Sequence, residues 1–249
     1  MHIRVVTPIT THGFTSAADF EPLARPDTTV SHVELDSGPA SIESAFDEAL
    51  ALPDTIAKIL QAERDGADAV VIDCMGDPGM DAGREATGIT VLGPAQVAMH
   101  LAAMLGHRFS IVTVLDAVVP LLDDLARKYG LAEKLCSIRV VDIPVLELTD
   151  HGRMVQALAD EAIRAVEEDG AHAIVFGCTG MRGCAAGLKT ALEERGYPGI
   201  PVIDPVVAAF KIAEALVDLG LTPSKRTYPT PRRKPLPGYE QLALAQSAP

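Results

Sequence analysis

The chain has 249 residues, 48% of them hydrophobic and 22% charged, so it can bury a sizeable core and is not a disordered segment. Its formal net charge of −13 argues against nucleic acid or an anionic membrane surface, which require clustered Lys and Arg, and outside the C-terminal tail neither is an expected partner. Trp is absent and aromatics make up 4%, so the core must come from Ala, Val, Ile and Leu, the material of sheets covered by helices.

The N-terminal MHIRVVTPIT runs straight into a β-branched strand at 3–7, with neither the apolar stretch nor the cleavage site of a signal peptide. Helical spacing over 54–66 leads into the strand AVVID at 69–73. A helix at 96–105, QVAMHLAAML, is followed by the strand FSIVTVL at 109–115. The pattern then recurs as a helix at 157–170, the strand AIVFG at 173–177 and a helix at 206–216. Alternation of this kind implies parallel sheets with right-handed crossovers. From residue 221 on, the chain is too rich in Pro for regular structure. This tail, 221–249, carries Lys225, Arg226, Arg232, Arg233 and Lys234 against Glu240 alone, and is expected to lie on its own or a neighbouring subunit or to stay mobile. No apolar run approaches the roughly 20 residues that span a bilayer. A cytoplasmic protein with four reduced cysteines is the expectation. No two of them form a CxxC pair and no His joins them at ligand spacing, so no metal site is expected.

The chain contains itself twice. GADAVVIDCMG (66–76) matches GAHAIVFGCTG (170–180) at six of eleven positions, with a constant offset of 104. GITVLGPAQVA (88–98) matches GIPVIDPVVAA (199–209) at five positions, with an offset of 111. Each copy reads helix, strand, turn, helix, strand, helix. The period is too long for a solenoid and implies two similar α/β halves related by an approximate two-fold axis. One division gives a half from about Gly93 to Glu147 together with the N-terminal strand; another interleaves the halves, and the pattern admits both.

Cys74 and Cys178 close the equivalent strands of the two copies, each followed two residues later by a glycine, Gly76 or Gly180. Ligands of open parallel sheets bind beyond the carboxyl ends of the strands. A turn into a helix there would aim free N–H groups at the spot and ease ionisation of a thiol. One strand-end Cys is usually packing. Two at equivalent sites of a repeat suggest thiols facing each other across a cleft, which is what inversion at a carbon acid requires. Cys136 reads as packing, Cys184 as packing or a pocket wall, and His100 and His107 as non-catalytic.

Several longer stretches carry a family likeness: GPASIESAFDEAL (38–50), CMGDPGMDAGRE (74–85), RFSIVTVL (108–115), YGLAEKLCSIRVVDIPVLEL (129–148), GCTGM (177–181) and PVIDPVVAAFKIAEAL (201–216). Together they resemble, in order, the hydantoin/allantoin racemase branch of the Asp/Glu racemase superfamily, over about residues 1–220. The resemblance implies a cofactor-free, two-base racemisation of a small molecule held between the thiols, in a homo-oligomer. It implies that the amides of Met75 and Gly76, and of Thr179 and Gly180, hold the substrate, with Met181 closing the second motif. Thr113 would line the pocket, and Ser41 and Ile42 would approach it. The family usually carries Asn on either side of the Pro after the first strand. This chain has Thr7-Pro8-Ile9-Thr10, which leaves Thr7 and Pro8 as the candidates there. It also has Asp116-Ala117 where the family often has an Arg. The expected fold is α/β: two Rossmann-like lobes with parallel four-stranded sheets related by a pseudo-two-fold axis, one around Cys74 and one around Cys178, with the active site in the cleft between them.

Three functions remain open on the sequence. The first is racemisation of a 5-monosubstituted hydantoin or allantoin, whose C5 proton is acidified by a carbonyl and an amide nitrogen. The second is another reaction of the superfamily: racemisation of an acidic amino acid, decarboxylation of a malonate, or maleate isomerisation. An amino-acid substrate would gain if Arg182 pointed into the cleft as a carboxylate anchor. A decarboxylase typically keeps one cysteine, and both are present. The third is a small-molecule-binding relative without catalysis, which gives no reason for the second Cys.

Overall fold

The computed structural model describes residues 1–148 and 150–242. Two four-stranded, all-parallel sheets carry the fold. The first comprises β1 (His2–Thr7), β2 (Thr29–Glu34), β3 (Ala69–Ile72) and β4 (Thr90–Leu92) in the order β2-β1-β3-β4. The second comprises β5 (Phe109–Thr113), β6 (Leu135–Val140), β7 (Ile174–Phe176) and β8 (Val202–Ile203) in the order β6-β5-β7-β8. The strand order is therefore the same in both sheets. Neither sheet is built from residues 93–147 plus the N-terminal strand, and that division is corrected: all the strands before residue 93 form one sheet and all those after it the other.

The helices are α1 (Ala17–Phe20), α2 (Ala45–Arg64), α3 (Met80–Ala86), α4 (Pro94–Leu105), α5 (Val119–Lys128), α6 (His151–Glu167), α7 (Ala185–Glu194) and α8 (Pro205–Asp218). Their starts are chemically specified. The Ser44 hydroxyl accepts the Asp47 N–H ahead of α2, and the Asp150 carboxylate accepts the Arg153 N–H ahead of α6. The central strands β3 and β7 are buried along their whole length, whereas β2 and β6 are half-buried edges.

Two helices are exchanged. After the last strand of the first sheet, α4 turns Ala95, Ala98, Met99 and Ala102 onto Phe109, Ile111, Ala173 and Val175 of the second sheet. After the last strand of the second, α8 turns Val206, Ala209, Phe210 and Ala213 back onto Ile3, Val5, Ala69 and Val71 of the first. The apolar runs of both helices are thus buried on the sheet they do not follow.

The described part of the tail lies on its own chain. Lys225 Nζ donates to the carbonyls of Arg84 (2.7 Å) and Thr87 (2.5 Å) at the end of α3, where unpaired helical C=O groups favour a cation. Arg84 in turn donates to the Tyr228 hydroxyl at 3.2 Å. Beyond that the chain has no helix or strand until a single 3₁₀ turn at Glu240–Leu242. Among the described residues no helix is long and apolar enough to cross a membrane.

Candidate active site

β3 delivers Asp73 and Cys74 to its carboxyl end, and β7 delivers Gly177 and Cys178 to the equivalent place. Both thiols line one narrow cavity of about 60 Å³. Its walls are largely apolar: Pro8 and Ile9 after β1, Phe14, Ile42, then Val114, Val118, Leu121, Leu122 and Val145 from the second half. Its polar groups are Thr7, Thr15, Glu48, Asp73 and Thr179, with the turn residues Met75, Gly76 and Gly180 beside the cysteines. Of the residues expected from sequence, Thr7, Pro8, Ile42, Cys74, Met75, Gly76, Cys178, Thr179 and Gly180 meet at this cavity. Ser41, Thr113 and Met181 do not line it. Thr113 is fully buried behind the second cysteine's strand, where its hydroxyl donates to the Gly177 carbonyl at 3.1 Å. Met181 points into the core of the second half. Cys184 is buried in that core too, the packing alternative of its two readings.

The turns after the two cysteines are near copies. Gly76 N–H donates to Cys74 Sγ, and Gly180 N–H donates to Cys178 Sγ, each at 3.4 Å. These two amides thus point at the sulfurs. The anticipated ease of ionisation is reversed. Burial pushes the Cys178 thiol up to about 12, and the Gly180 N–H offsets only part of it. Burial pushes Cys74 well above the ordinary thiol value, with the Gly76 N–H opposing and Cys178, Glu48 and Asp73 adding to the rise. The reason is local: a mere 3₁₀ turn, Thr179–Met181, follows Cys178, and α3 begins only at Met80, so neither thiol sits on the first turn of an α-helix.

The separation of the thiols is held by contacts between the two halves. Thr179, just after Cys178, donates its hydroxyl to the carbonyl of Asp73, just before Cys74, at 3.1 Å. Glu43 accepts the Val145 N–H at 2.8 Å. Beneath Cys74 lies a buried polar network. Thr7 donates to Asp73 Oδ2 at 3.0 Å, and His32 Nε2 contacts the hydroxyls of Thr7 and Thr15 at 2.9 and 3.0 Å. Burial raises Asp73 above the usual carboxylate range and lowers His32 below its ordinary value. Thr7, which also lines the cavity, thus directs its hydroxyl proton at Asp73. Asp73 Oδ1 faces Arg182 at 3.9 Å. Arg182 lies over the Phe20 ring, 4.5 Å from its centroid, and does not line the cavity.

Each cysteine turn is also tied to an exchanged helix through one buried aspartate. Asp77, in the first turn, adopts φ 49° and accepts the N–H groups of Ala95 and Gln96 at 2.9 Å each, capping α4 from outside. It also accepts the Tyr129 hydroxyl at 2.6 Å, and burial pushes its carboxyl up to about 6. In the second half the cap is Asp204 itself, the counterpart of Gly93 in the repeat. It accepts the N–H groups of Val206 and Val207 and reaches the Gly183 N–H at 3.1 Å. Gly93 must lack a side chain because a Cβ there would stand 2.2 Å from Asp77 Cγ.

Sequence reasoning missed Asp73, His32, Thr15 and Glu48. The first three announce themselves only when β1, β2 and β3 pair. Among the described residues, no group of three or more His, Cys, Asp or Glu is arranged to hold a metal ion.

Residues 3–213 match the family model described as Asp/Glu/Hydantoin racemase. The chain is 43% identical to a hydantoin racemase of Pseudomonas sp. (strain NS671) over 238 residues, covering 94% of this chain and 93% of the other. It is 41% identical to a hydantoin racemase of Rhizobium meliloti over 248 residues, 98% and 100% of the two chains. Its structure superposes on an allantoin racemase from Klebsiella pneumoniae with a TM-score of 0.89 at 37% identity, covering 98% and 99%.

Proposed function

The chain belongs to the Asp/Glu/hydantoin racemase family, and from that membership we propose that it interconverts the enantiomers of a 5-monosubstituted hydantoin or of allantoin, with Cys74 and Cys178 as opposed acid–base groups. That it is a racemase-type isomerase follows from its relatives. The two-thiol mechanism and the substrate are the proposal.

One observation carries it: two cysteines at equivalent strand ends line the same narrow, mostly apolar cavity. The thiolate of one removes the C5 proton, and the C–H electron pair moves into an enolate on the adjacent carbonyl. The thiol of the other then delivers its proton to the opposite face, and the enolate electrons form the new C–H bond. The cysteines finish with their protonation states exchanged, and the reverse reaction uses them in the opposite order. Burial makes both thiols reluctant to ionise, so the resting site favours protonated sulfur. The Gly76 and Gly180 amides support whichever sulfur becomes the thiolate. The carbon acid needs no electron-sink cofactor, because carbonyl and amide nitrogen flank the reacting carbon.

The cavity's lining supports a neutral ring over a free acidic amino acid. No Lys or Arg is among the lining residues, whereas two carboxyl groups, Glu48 and Asp73, are. The one basic residue of the cysteine motifs considered as an anchor, Arg182, is turned toward Phe20 and Asp73.

The test is exchange in deuterated water. Each enantiomer of a 5-substituted hydantoin and of allantoin is incubated with the protein. Proton NMR follows loss of the C5 proton and circular dichroism the loss of optical activity. Cys74→Ser and Cys178→Ser run alongside. Exchange with inversion, abolished or made enantiomer-selective by either serine, is the expected result. Exchange at the uncatalysed rate with every ring would overturn the reading.

A further inference from the structure

One lining group has no task in that scheme. Glu48 projects from the first half of α2 into the cavity on the Cys74 side. Its Oε2 is shielded from solvent and has no hydrogen-bond partner. The point where a Gly76 Cβ would stand is 2.6 Å from Glu48 Oε2 and 3.7 Å from Cys74 Sγ. The absence of a side chain at Gly76 is what admits the carboxylate to the edge of the reaction space. Asp73, the other carboxyl of the cavity, accepts Thr7 on Oδ2. Its Oδ1 lacks a hydrogen bond but faces the Arg182 guanidinium at 3.9 Å, whereas Glu48 Oε2 has no cation within that distance among the described residues. Burying a carboxylate oxygen without a donor is costly, and the cost is recovered when a ligand supplies the donor.

We propose that Glu48 is a specificity-determining residue whose carboxylate accepts a ring N–H of the bound ureide. It recognises the ring as an N–H donor and fixes which edge faces Cys74. A site built to pair with an N–H rejects an analogue that lacks it, because its own polar group is then left buried and unpaired. The inference rests on the ureide reading above.

Binding separates the two. 5,5-Dimethylhydantoin has no C5 proton, so its affinity is independent of turnover and of the thiol chemistry. Isothermal titration of the full chain with this ring and with its 1-methyl and 3-methyl derivatives identifies the N–H that is read. Wild type is expected to bind the parent ring at least tenfold tighter than one of the two methylated rings. Glu48→Ala should weaken the parent about tenfold and bind that methylated ring no worse than it binds the parent. Glu48→Gln, which keeps an acceptor oxygen, should recover part of the preference, and circular dichroism verifies that both variants are folded. Parent-ring affinity unchanged in Glu48→Ala would overturn the role of Glu48. So would methyl discrimination persisting in Glu48→Ala, or no binding of the parent by wild type. Deuterium exchange at C5 in wild type decides the racemase reading separately, whichever way the titration falls.

Discussion

Exchanging the cap between Asp77 and Gly93 tests whether the first cysteine turn is held by the N-terminus of α4. In Asp77→Ala the N–H groups of Ala95 and Gln96 lose the acceptor they share at 2.9 Å, and the Tyr129 hydroxyl loses a bond of 2.6 Å. A buried donor left unpaired costs about 1–3 kcal/mol, so the variant should lose about 3–5 kcal/mol. At about 2–4 °C per kcal/mol for a chain of this size, that is a Tm drop of about 10 °C. Gly93→Asp alone should also destabilise, by about 3 kcal/mol, because its Cβ would stand 2.2 Å from Asp77 Cγ and bring a second carboxylate against the first. In the double variant the clash is gone, and the new carboxylate stands where Asp204 stands in the other half. The backbone permits it: φ −101° and ψ 130° at Gly93, φ −79° and ψ 115° at Asp204. Urea unfolding of the four proteins, followed by circular dichroism, should give a favourable coupling of about 2 kcal/mol or more. A double variant whose loss equals the sum of the two single losses would refute the account of Asp77 as the cap of α4.

Raised thiols make stability fall in alkali. Cys178 holds its proton up to about 12 when folded but loses it near 8.5 when unfolded, so the unfolded state binds fewer protons between those values. Its contribution is intact below about pH 8.5 and declines through that window; Cys178→Ser should make the alkaline decline shallower, as read by urea midpoints from pH 8 to pH 10.5. Iodoacetamide at pH 8 should label Cys178 on the order of 10³-fold more slowly than a free thiol, and peptide mass mapping reads the rate. Gly177→Ala would bring a Cβ within 2.4 Å of Thr113 Cβ and 2.8 Å of its backbone Cα, displacing the residue before Cys178. It should cost about 1–3 kcal/mol in urea unfolding and lower kcat at least tenfold. Lys225→Met should remove the cation from the end of α3 and lower stability by about 0.5–1 kcal/mol, with kcat unchanged, as measured by thermal unfolding and racemisation assays.

The cysteine pair was legible because a repeat writes the same position twice, and the second copy turns an ordinary strand-end Cys into a coincidence that needs a reason. The central strands were legible for a similar cause: β3 and β7 are buried on both faces and so read as unbroken apolar runs. The edge strands TVSHVE and LCSIRV are half-buried and mix polar with apolar residues, which no periodicity separates from a loop. Glu48 stayed hidden because Pro53 interrupts the helical spacing, so the segment before it does not declare itself part of α2. Thr113 and Met181 were placed at the substrate by analogy of position, but Thr113 at its strand end and Met181 in the 3₁₀ turn after Cys178 both face the core. The direction of the thiol shifts went wrong at the same level. The pattern showed a turn after each cysteine, and only the folded chain reveals that the turn is too short to act as a helix dipole.

The exchange of α4 and α8 bears on how the cleft works mechanically. A two-part protein joined by a simple linker can close on its ligand like a jaw, with the gap between opposing groups set anew at each closure. Here each half is roofed by a helix that belongs in sequence to the other, and Asp77 and Asp204 clamp the cysteine turns to those roofs. Swinging one sheet against the other would pull Val97 of α4 away from Val206, Ala209 and Phe210 of α8, with which it shares a sealed core. The gauge of the slot between the sulfurs is therefore set by packing density rather than by a hinge. In the proposed two-thiol reaction, where a proton leaves one face of a carbon and another arrives at the opposite face, a gap of fixed width would give both directions the same geometry.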